Sequence, residues 1–318
     1  MPLIEKSAYK GPPFYQFNKH LQTILPAFRN VQGVHYKRER INTPDGDFLD
    51  LDWIDNKNGR LIVLTHGLEG NSHRPYIMGM SKMFSEHGWD VLAWHCRSCS
   101  GQMNRNFQLY NHGDVEDISV VVNHAFAKHK YKEIVLAGFS MGGNISLKYA
   151  ALRAHPSVSK VMAFSAPLDM RTSTAVLDNP SNRIYQKIFR SRLLPKIEMK
   201  AQLFPDRLDI EEIRRRTDWN FQCETFFCTV NGYKSLDDFY EQGSAINFIS
   251  EIKIPTLIVQ AQNDPMLTKE CLPVKLAKEH PKIYLETPQY GGHCGFTMKE
   301  NRALAYSEVR SLAFAEVM

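Results

Sequence analysis

The sequence predicts an α/β fold: a mostly parallel central sheet flanked by helices and interrupted by a helical insertion. Three observations lead there. From Gly59 onward short apolar runs alternate with longer helical stretches, the rhythm of strand–helix–strand units whose parallel sheet is covered on both faces. About 80 residues between Asp169 and Lys253 then carry no buried-strand signal, and a connection of that length calls for helices and a role of its own. Finally, a glycine-flanked serine stands between a strand-like and a helix-like run.

Taken in order, the chain to about residue 34 is irregular and proline-bearing and is expected to lie across the body of the fold. His35–Thr43 and Phe48–Ile54 flank Pro44-Asp45-Gly46-Asp47 and read as an antiparallel hairpin. Buried strands are expected at Leu61–Thr65, Asp90–Trp94, Glu133–Ala137, Val161–Phe164, Thr256–Gln260 and Ile283–Glu286. Helices are expected over Tyr76–His87, Val115–Lys128, Asn144–Arg153 and Leu272–Lys278, with a last one from about Arg302. The 318 residues fit one large core carrying an insertion. We divide them into a core, 1–168 with 254–318, and a helical cap, 169–253.

Composition narrows the function classes. Apolar residues make up 43% and charged residues 23%, which excludes a disordered or collagen-like chain. A net charge of +5, spread over this length, does not argue for nucleic acid. No apolar run approaches the roughly 18–20 residues that cross a bilayer, and the first residues lack the basic-then-apolar order of a signal peptide. Six cysteines without such a signal read as reduced thiols of a cytoplasmic protein. Cys96-Arg-Ser-Cys99 has the spacing of a redox or zinc pair, but a zinc site needs a second pair and Cys223 and Cys228 sit five apart in a very different context, so two unconnected thiols are the expectation.

The chemistry centres on Gly138-Phe139-Ser140-Met141-Gly142-Gly143. Between a strand and a helix, this pattern puts the serine on a sharp, strained turn that lifts its hydroxyl above the sheet edge. The helix beyond the turn aims free N–H groups at any negative charge forming beside Ser140. A serine hydroxyl needs a base, and the expected chain order is serine, acid, histidine. Asp264, after the strand Thr256–Gln260, and His293, in the glycine-rich loop after Ile283–Glu286, fall at the strand ends where such sheets place their chemistry. Asp169 is the rival acid, and His66, His95 and His112 are rival bases. His66-Gly67-Leu68 follows the strand Leu61–Thr65, so the backbone N–H groups of Leu68 and Met141 are assigned as oxyanion donors.

These residues resemble the α/β-hydrolase superfamily, and within it the YheT-like family, related to the α/β-hydrolase-domain lipases and phospholipases of animals. Asn18-Lys19-His20-Leu21-Gln22-Thr23 resembles that family's N-x-H-x-Q-T signature, and His66–Gly70 its oxyanion loop. Arg97-Ser98-Cys99-Ser100-Gly101, with Asn104, Arg105 and Tyr110, resembles its R-G-C-S-G segment, Ser98 standing for the usual glycine. Gly232-Tyr233 and Asp237–Tyr240 resemble its cap run, and Asn263-Asp264-Pro265 and Gly291-Gly292-His293 its acid and histidine loops. The resemblance implies a Ser140–His293–Asp264 triad and ester hydrolysis.

The expected activity is hydrolysis of short- to medium-chain acyl esters through an acyl-enzyme, with a small-molecule ester as partner and no metal or organic cofactor. Acyl transfer, phospholipase-like activity and a silent binding scaffold are the alternatives. Two features stay open between readings. Arg97, Asn104, Arg105, His112, Asp114 and Asp117 either line the active-site rim or fix a long loop. Asn182–Lys200, with six basic residues among apolar ones, either meets an anionic lipid surface or is a cap helix with a solvated basic face.

Overall fold

The computed structural model describes residues 3–317. Nine strands form one sheet in the order β1-β9-β8-β7-β6-β4-β5-β3-β2. They are β1 (Leu3–Ile4), β2 (Lys37–Asn42), β3 (Phe48–Ile54), β4 (Arg60–Thr65), β5 (Asp90–Trp94), β6 (Glu133–Phe139), β7 (Val158–Phe164), β8 (Thr256–Val259) and β9 (Ile283–Glu286). From β1 to β5 along the sheet every pairing is parallel; only the hairpin β2–β3 and its junction with β5 are antiparallel. Strands β4 to β7 are near-continuous Val, Ile, Leu and Ala and almost wholly buried, as a sheet covered on both faces requires. One apolar cluster (Leu61, Val63, Ile118, Leu136, Ile145) fills one face. A second (Ile62, Leu64, Phe84, Val135, Phe314) fills the other.

Among the described residues, six helices lie outside the β7–β8 connection: α1 (Lys19–Ile24), α2 (Pro75–Glu86), α3 (Glu116–His129), α4 (Met141–Leu152), α10 (Val274–Glu279) and α11 (Tyr306–Val317). Between β7 and β8 the chain forms α5 (Met170–Leu177), α6 (Arg183–Leu203), α7 (Ile210–Arg215), α8 (Trp219–Cys223) and α9 (Leu236–Gly243), with no strand. These helices have an apolar cluster of their own, built on Leu193, Ile197, Trp219, Phe226, Phe227 and Phe239. No helix among the described residues is long and apolar enough to cross a membrane.

The opening segment is more ordered than its irregular sequence implies. Leu3–Ile4 adds a parallel edge strand against Leu285 and Glu286. Asn18 caps α1, its Oδ1 accepting from the N–H groups of His20 and Leu21. The last helix begins at Tyr306 rather than near Arg302, because Thr297 and Ala305 form a β-bridge and hold the intervening residues in turns.

The polar residues of the 97–117 segment pin that loop. Arg97 makes a two-pronged ion pair with Asp117 at 2.7 and 2.9 Å and reaches Asp45 at 2.6 Å. Asp47 accepts from Asn104 Nδ2 at 2.7 Å and from the N–H groups of Arg105 and Asn106. Ser98 takes a left-handed conformation, at φ 61°, which a glycine would adopt without strain. Its hydroxyl donates to Asn104 Oδ1 at 2.6 Å and accepts from Asn104 N–H at 3.0 Å. Cys96 and Cys99 are buried free thiols. Burial drives the Cys96 thiol far up and the Cys99 thiol up to about 11, so both stay protonated and unreactive.

Candidate active site

The turn joining β6 to α4 puts Ser140 at φ 53° and ψ −122°. A non-glycine residue there is strained by about 1–2 kcal/mol. The Ser140 N–H donates to Phe164 O at 2.9 Å, which anchors the turn to β7. Its close packing excludes side chains: a Cβ at Gly138 would meet Gly142 O at 2.1 Å, and one at Gly142 would meet Thr65 O at 2.2 Å. Any larger residue at either position would force β4, β6 and α4 apart.

The geometry brings three of the expected side chains together across 153 residues of chain. Ser140 Oγ lies 2.8 Å from His293 Nε2, and His293 Nδ1 lies 2.9 and 3.1 Å from the two Asp264 oxygens. Asp264 Oδ1 also accepts from the Met266 N–H at 2.8 Å, which fixes the carboxylate. Burial favours the neutral imidazole, but the adjacent Asp264 charge prevails and raises the His293 pKa above its usual value, with Cys294 acting the same way. The Leu68 and Met141 N–H groups have no protein acceptor among the described residues. Leu68, Ser140 and His293 line a common cavity.

The rival residues are engaged elsewhere. Asp169 caps α5 by accepting from the Thr172 N–H. His66 Nδ1 lies 2.7 Å from Gly67 O while its Nε2 accepts from the Cys96 N–H, and burial lowers its pKa to about 3. His95 Nε2 contacts Asp52 at 2.8 Å. His112 lines the cavity beside Ser140 but packs on Phe227, and burial lowers its pKa to about 4.

Sequence reasoning gave no role to Gln22 and Thr23, which clasp the histidine loop from α1. Gln22 Oε1 accepts from Gly291 N–H at 3.0 Å and Asn263 Nδ2 at 2.8 Å; Gln22 Nε2 donates to Gln16 O at 2.8 Å. Thr23 Oγ1 accepts from the His293 N–H at 3.0 Å, and Asn263 Oδ1 from the Gly292 N–H at 3.1 Å. The backbones pass so closely that a Cβ at Gly295 would meet Gln22 O at 1.9 Å. Asn18–Thr23 carried this signal only as a signature string, without contacts.

Two cavities meet at Ser140 and His293. A narrow one of about 50 Å³ runs under the insertion, lined by Met170, Leu177, Trp219, Phe227, Phe239 and Leu267 among others. A wider groove of about 330 Å³ opens past Ile24, Phe28, Tyr76, Tyr185 and Ile188. Helix α6 crosses between them and contributes Phe189 to both.

A parallel sheet, a strained serine turn and a histidine–carboxylate pair at the strand ends define an α/β hydrolase. The alpha/beta hydrolase fold family matches residues 60–299, and the chain belongs to it. Within that family the chain is YheT-like. It is 30% identical over 291 residues to "Putative esterase YheT" of Escherichia coli (strain K12), covering 88% of this chain and 84% of that protein. It is 26% identical over 307 residues to "Phospholipase ABHD3" of Mus musculus, covering 93% of this chain and 74% of the relative. Among solved structures, the Pyrococcus furiosus esterase Pf2001 shares the fold, with a TM-score of 0.61 at 16% identity, over 98% of this chain and 99% of that one.

Proposed function

We propose that the protein is a serine esterase that cleaves short- to medium-chain acyl esters through an acyl-enzyme at Ser140. The observation that carries this reading is the unbroken line from Ser140 Oγ through the His293 ring to Asp264, with steps of 2.8 and 2.9 Å. His293 Nε2 takes the Ser140 proton as Oγ bonds to the ester carbonyl carbon. The oxyanion accepts hydrogen bonds from the Leu68 and Met141 N–H groups, each worth about 3–4 kcal/mol of barrier. Collapse breaks the C–O bond to the alcohol, which leaves with the proton from His293. Water then adds by the same route, and the acid departs as Ser140 recovers its proton. Asp264 holds the imidazole with Nε2 facing the serine and stabilises the imidazolium.

The insertion acts as a cap in this reading. The narrow apolar cavity beneath it suits a short hydrocarbon chain. A phospholipase-like activity is the second reading, favoured by the relative described as a phospholipase and by the wide groove beside the serine. A fluorophosphonate probe tests the assignment: the wild type labels and Ser140→Ala does not. A folded wild type that never labels refutes the esterase reading. A panel of p-nitrophenyl esters against phospholipids of matched chain length separates the two substrate classes.

A further inference from the structure

The wide groove beside Ser140 is apolar along most of its length, yet three arginines line it and no aspartate or glutamate does. Arg29 is satisfied, ion-paired to Glu308 and donating to Pro75 O. Arg74 and Arg192 are different. Arg74 donates through Nη2 to the backbone oxygen of Glu69 at 2.6 Å, and among the described residues neither guanidinium has a carboxylate partner. Glu69, whose charge reaches Arg192, is committed to Lys196 at 2.7 Å and to the Tyr110 hydroxyl. Asp264 is bound to His293. Burial and the like charge of Arg74 push the Arg192 pKa down, against an opposing pull from Glu69, so the two cations stand in one groove with their charges only partly offset. The N-terminus of α2, at Pro75, opens onto the same space without an acidic residue in its first turn or a side-chain cap, and adds positive potential there.

Two guanidiniums without carboxylate partners among the described residues, half-buried at Arg74 and exposed at Arg192, standing beside an apolar wall, are complementary to an amphiphilic anion. We propose that the groove binds the anionic end of the substrate, a phosphate or carboxylate held between Arg74 and Arg192, while the apolar wall receives the adjoining hydrocarbon. The proposal deepens the esterase reading and rests on it for the position of the scissile bond. It defines the substrate class as amphiphilic esters carrying one negative charge away from the reacting carbonyl. Planar guanidinium forks match both kinds of oxyanion, which lysines would do less well.

Binding tests this without needing turnover, so its outcome is separate from that of the fluorophosphonate experiment. Calorimetry on Ser140→Ala would compare hexyl phosphate, hexanol and hexyltrimethylammonium. Hexyl phosphate is expected to bind about ten-fold or more tightly than either, the scale of one charge-assisted hydrogen-bond pair. That preference should fall about ten-fold in Arg192→Gln, a substitution at an exposed position, and again in Arg74→Gln. Lys187→Gln removes the same charge from the outer face of α6, outside the groove, and should leave the preference unchanged. Equal affinity for the three ligands, or an equal loss in Lys187→Gln, would overturn the proposal. Co-sedimentation with phosphatidylcholine vesicles, with and without phosphatidic acid, names the source of the anion. Retention on the acidic vesicles that Arg192→Gln abolishes assigns it to a lipid headgroup. A hexyl phosphate preference without retention assigns it to a soluble ester. Retention without any hexyl phosphate preference refutes the groove as the site.

Discussion

The Asp264–His293 contact sets both the rate and the pH range expected of the site. The base must be neutral to take the serine proton, so activity rises with pH as His293 loses its proton. Asp264 stabilises the protonated ring and raises its pKa, which places the rising limb above the usual histidine value of 6.5. Asp264→Asn removes that charge and leaves burial opposed only by Cys294, so the limb moves to lower pH while kcat falls about 10⁴-fold through loss of the working tautomer. A pH–rate profile of both proteins on one p-nitrophenyl ester measures the two effects together; an unmoved limb would mean another group titrates there. The same contact bears on stability. A raised folded-state pKa contributes stability that is full below pH 6.5 and lost as pH climbs through the folded value. Ser98 poses a different question at this scale. It stands at φ 61° and offsets the strain through two hydrogen bonds with Asn104. Ser98→Ala keeps the strain and loses the bonds, so it should cost about 1–3 kcal/mol in urea denaturation. Ser98→Gly relieves the strain and should cost less.

Among the elements, α1 and α6 owe their importance to contacts that sequence patterns do not display. The six buried core strands were legible because each is a short apolar run bounded by turn residues, and Ser140, Asp264 and His293 were legible because each follows one of those runs. Helix α1 has only six residues and no apolar stripe, and its partners Asn263 and Gly291 lie 241 and 269 positions away. Gln22→Ala strips the acceptor from two donors, one of them the N–H of Gly291, two residues ahead of the base. A loss of about 1–3 kcal/mol in stability is expected, with a fall in kcat larger than any change in KM. Gln22→Glu keeps the acceptor but loses the Nε2 donor to the Gln16 carbonyl, so it should recover part of the kcat while remaining less stable than the wild type. Helix α6 shows the opposite limit. Its six basic residues read alike in sequence, but Lys196 pairs with Glu69 while Lys200 is buried against the Asn104 and Asn106 carbonyls. Those two tie the helix down, and half-buried Arg190 donates to the Ile213 and Arg214 carbonyls, leaving Arg183, Lys187 and Arg192 exposed beside Ile184 and Ile188. The basic face that the sequence alone offers to an anionic surface is narrower by those two lysines and Arg190.

At the scale of the whole molecule, the sheet body and the inserted helices divide the labour. The body carries Ser140, Asp264, His293 and the N–H groups of Leu68 and Met141. The insertion has its own apolar cluster and walls the narrow cavity with Leu177, Trp219, Phe227 and Phe239. Several bonds tie the two parts. Asn144 Nδ2 donates to Gly243 O at 2.7 Å, Asn144 Oδ1 accepts from the Ala245 N–H at 2.9 Å, and Asn182 Nδ2 donates to Pro265 O at 2.8 Å. The last bond lands one residue from Asp264, so the insertion's position and the acid loop are coupled. It follows that chemistry and chain-length preference should separate by mutation. Leu177 is only half-buried, so Leu177→Ala widens the cavity at modest cost in stability while leaving the serine, histidine and aspartate untouched. Each methylene that the longer chain then buries is worth about 0.8 kcal/mol, so two added carbons change relative kcat/KM roughly ten-fold. The preferred p-nitrophenyl ester should lengthen by about two carbons, with fluorophosphonate labelling at the wild-type rate. An unchanged chain-length profile would place the acyl group in the wide groove and send the alcohol beneath the inserted helices.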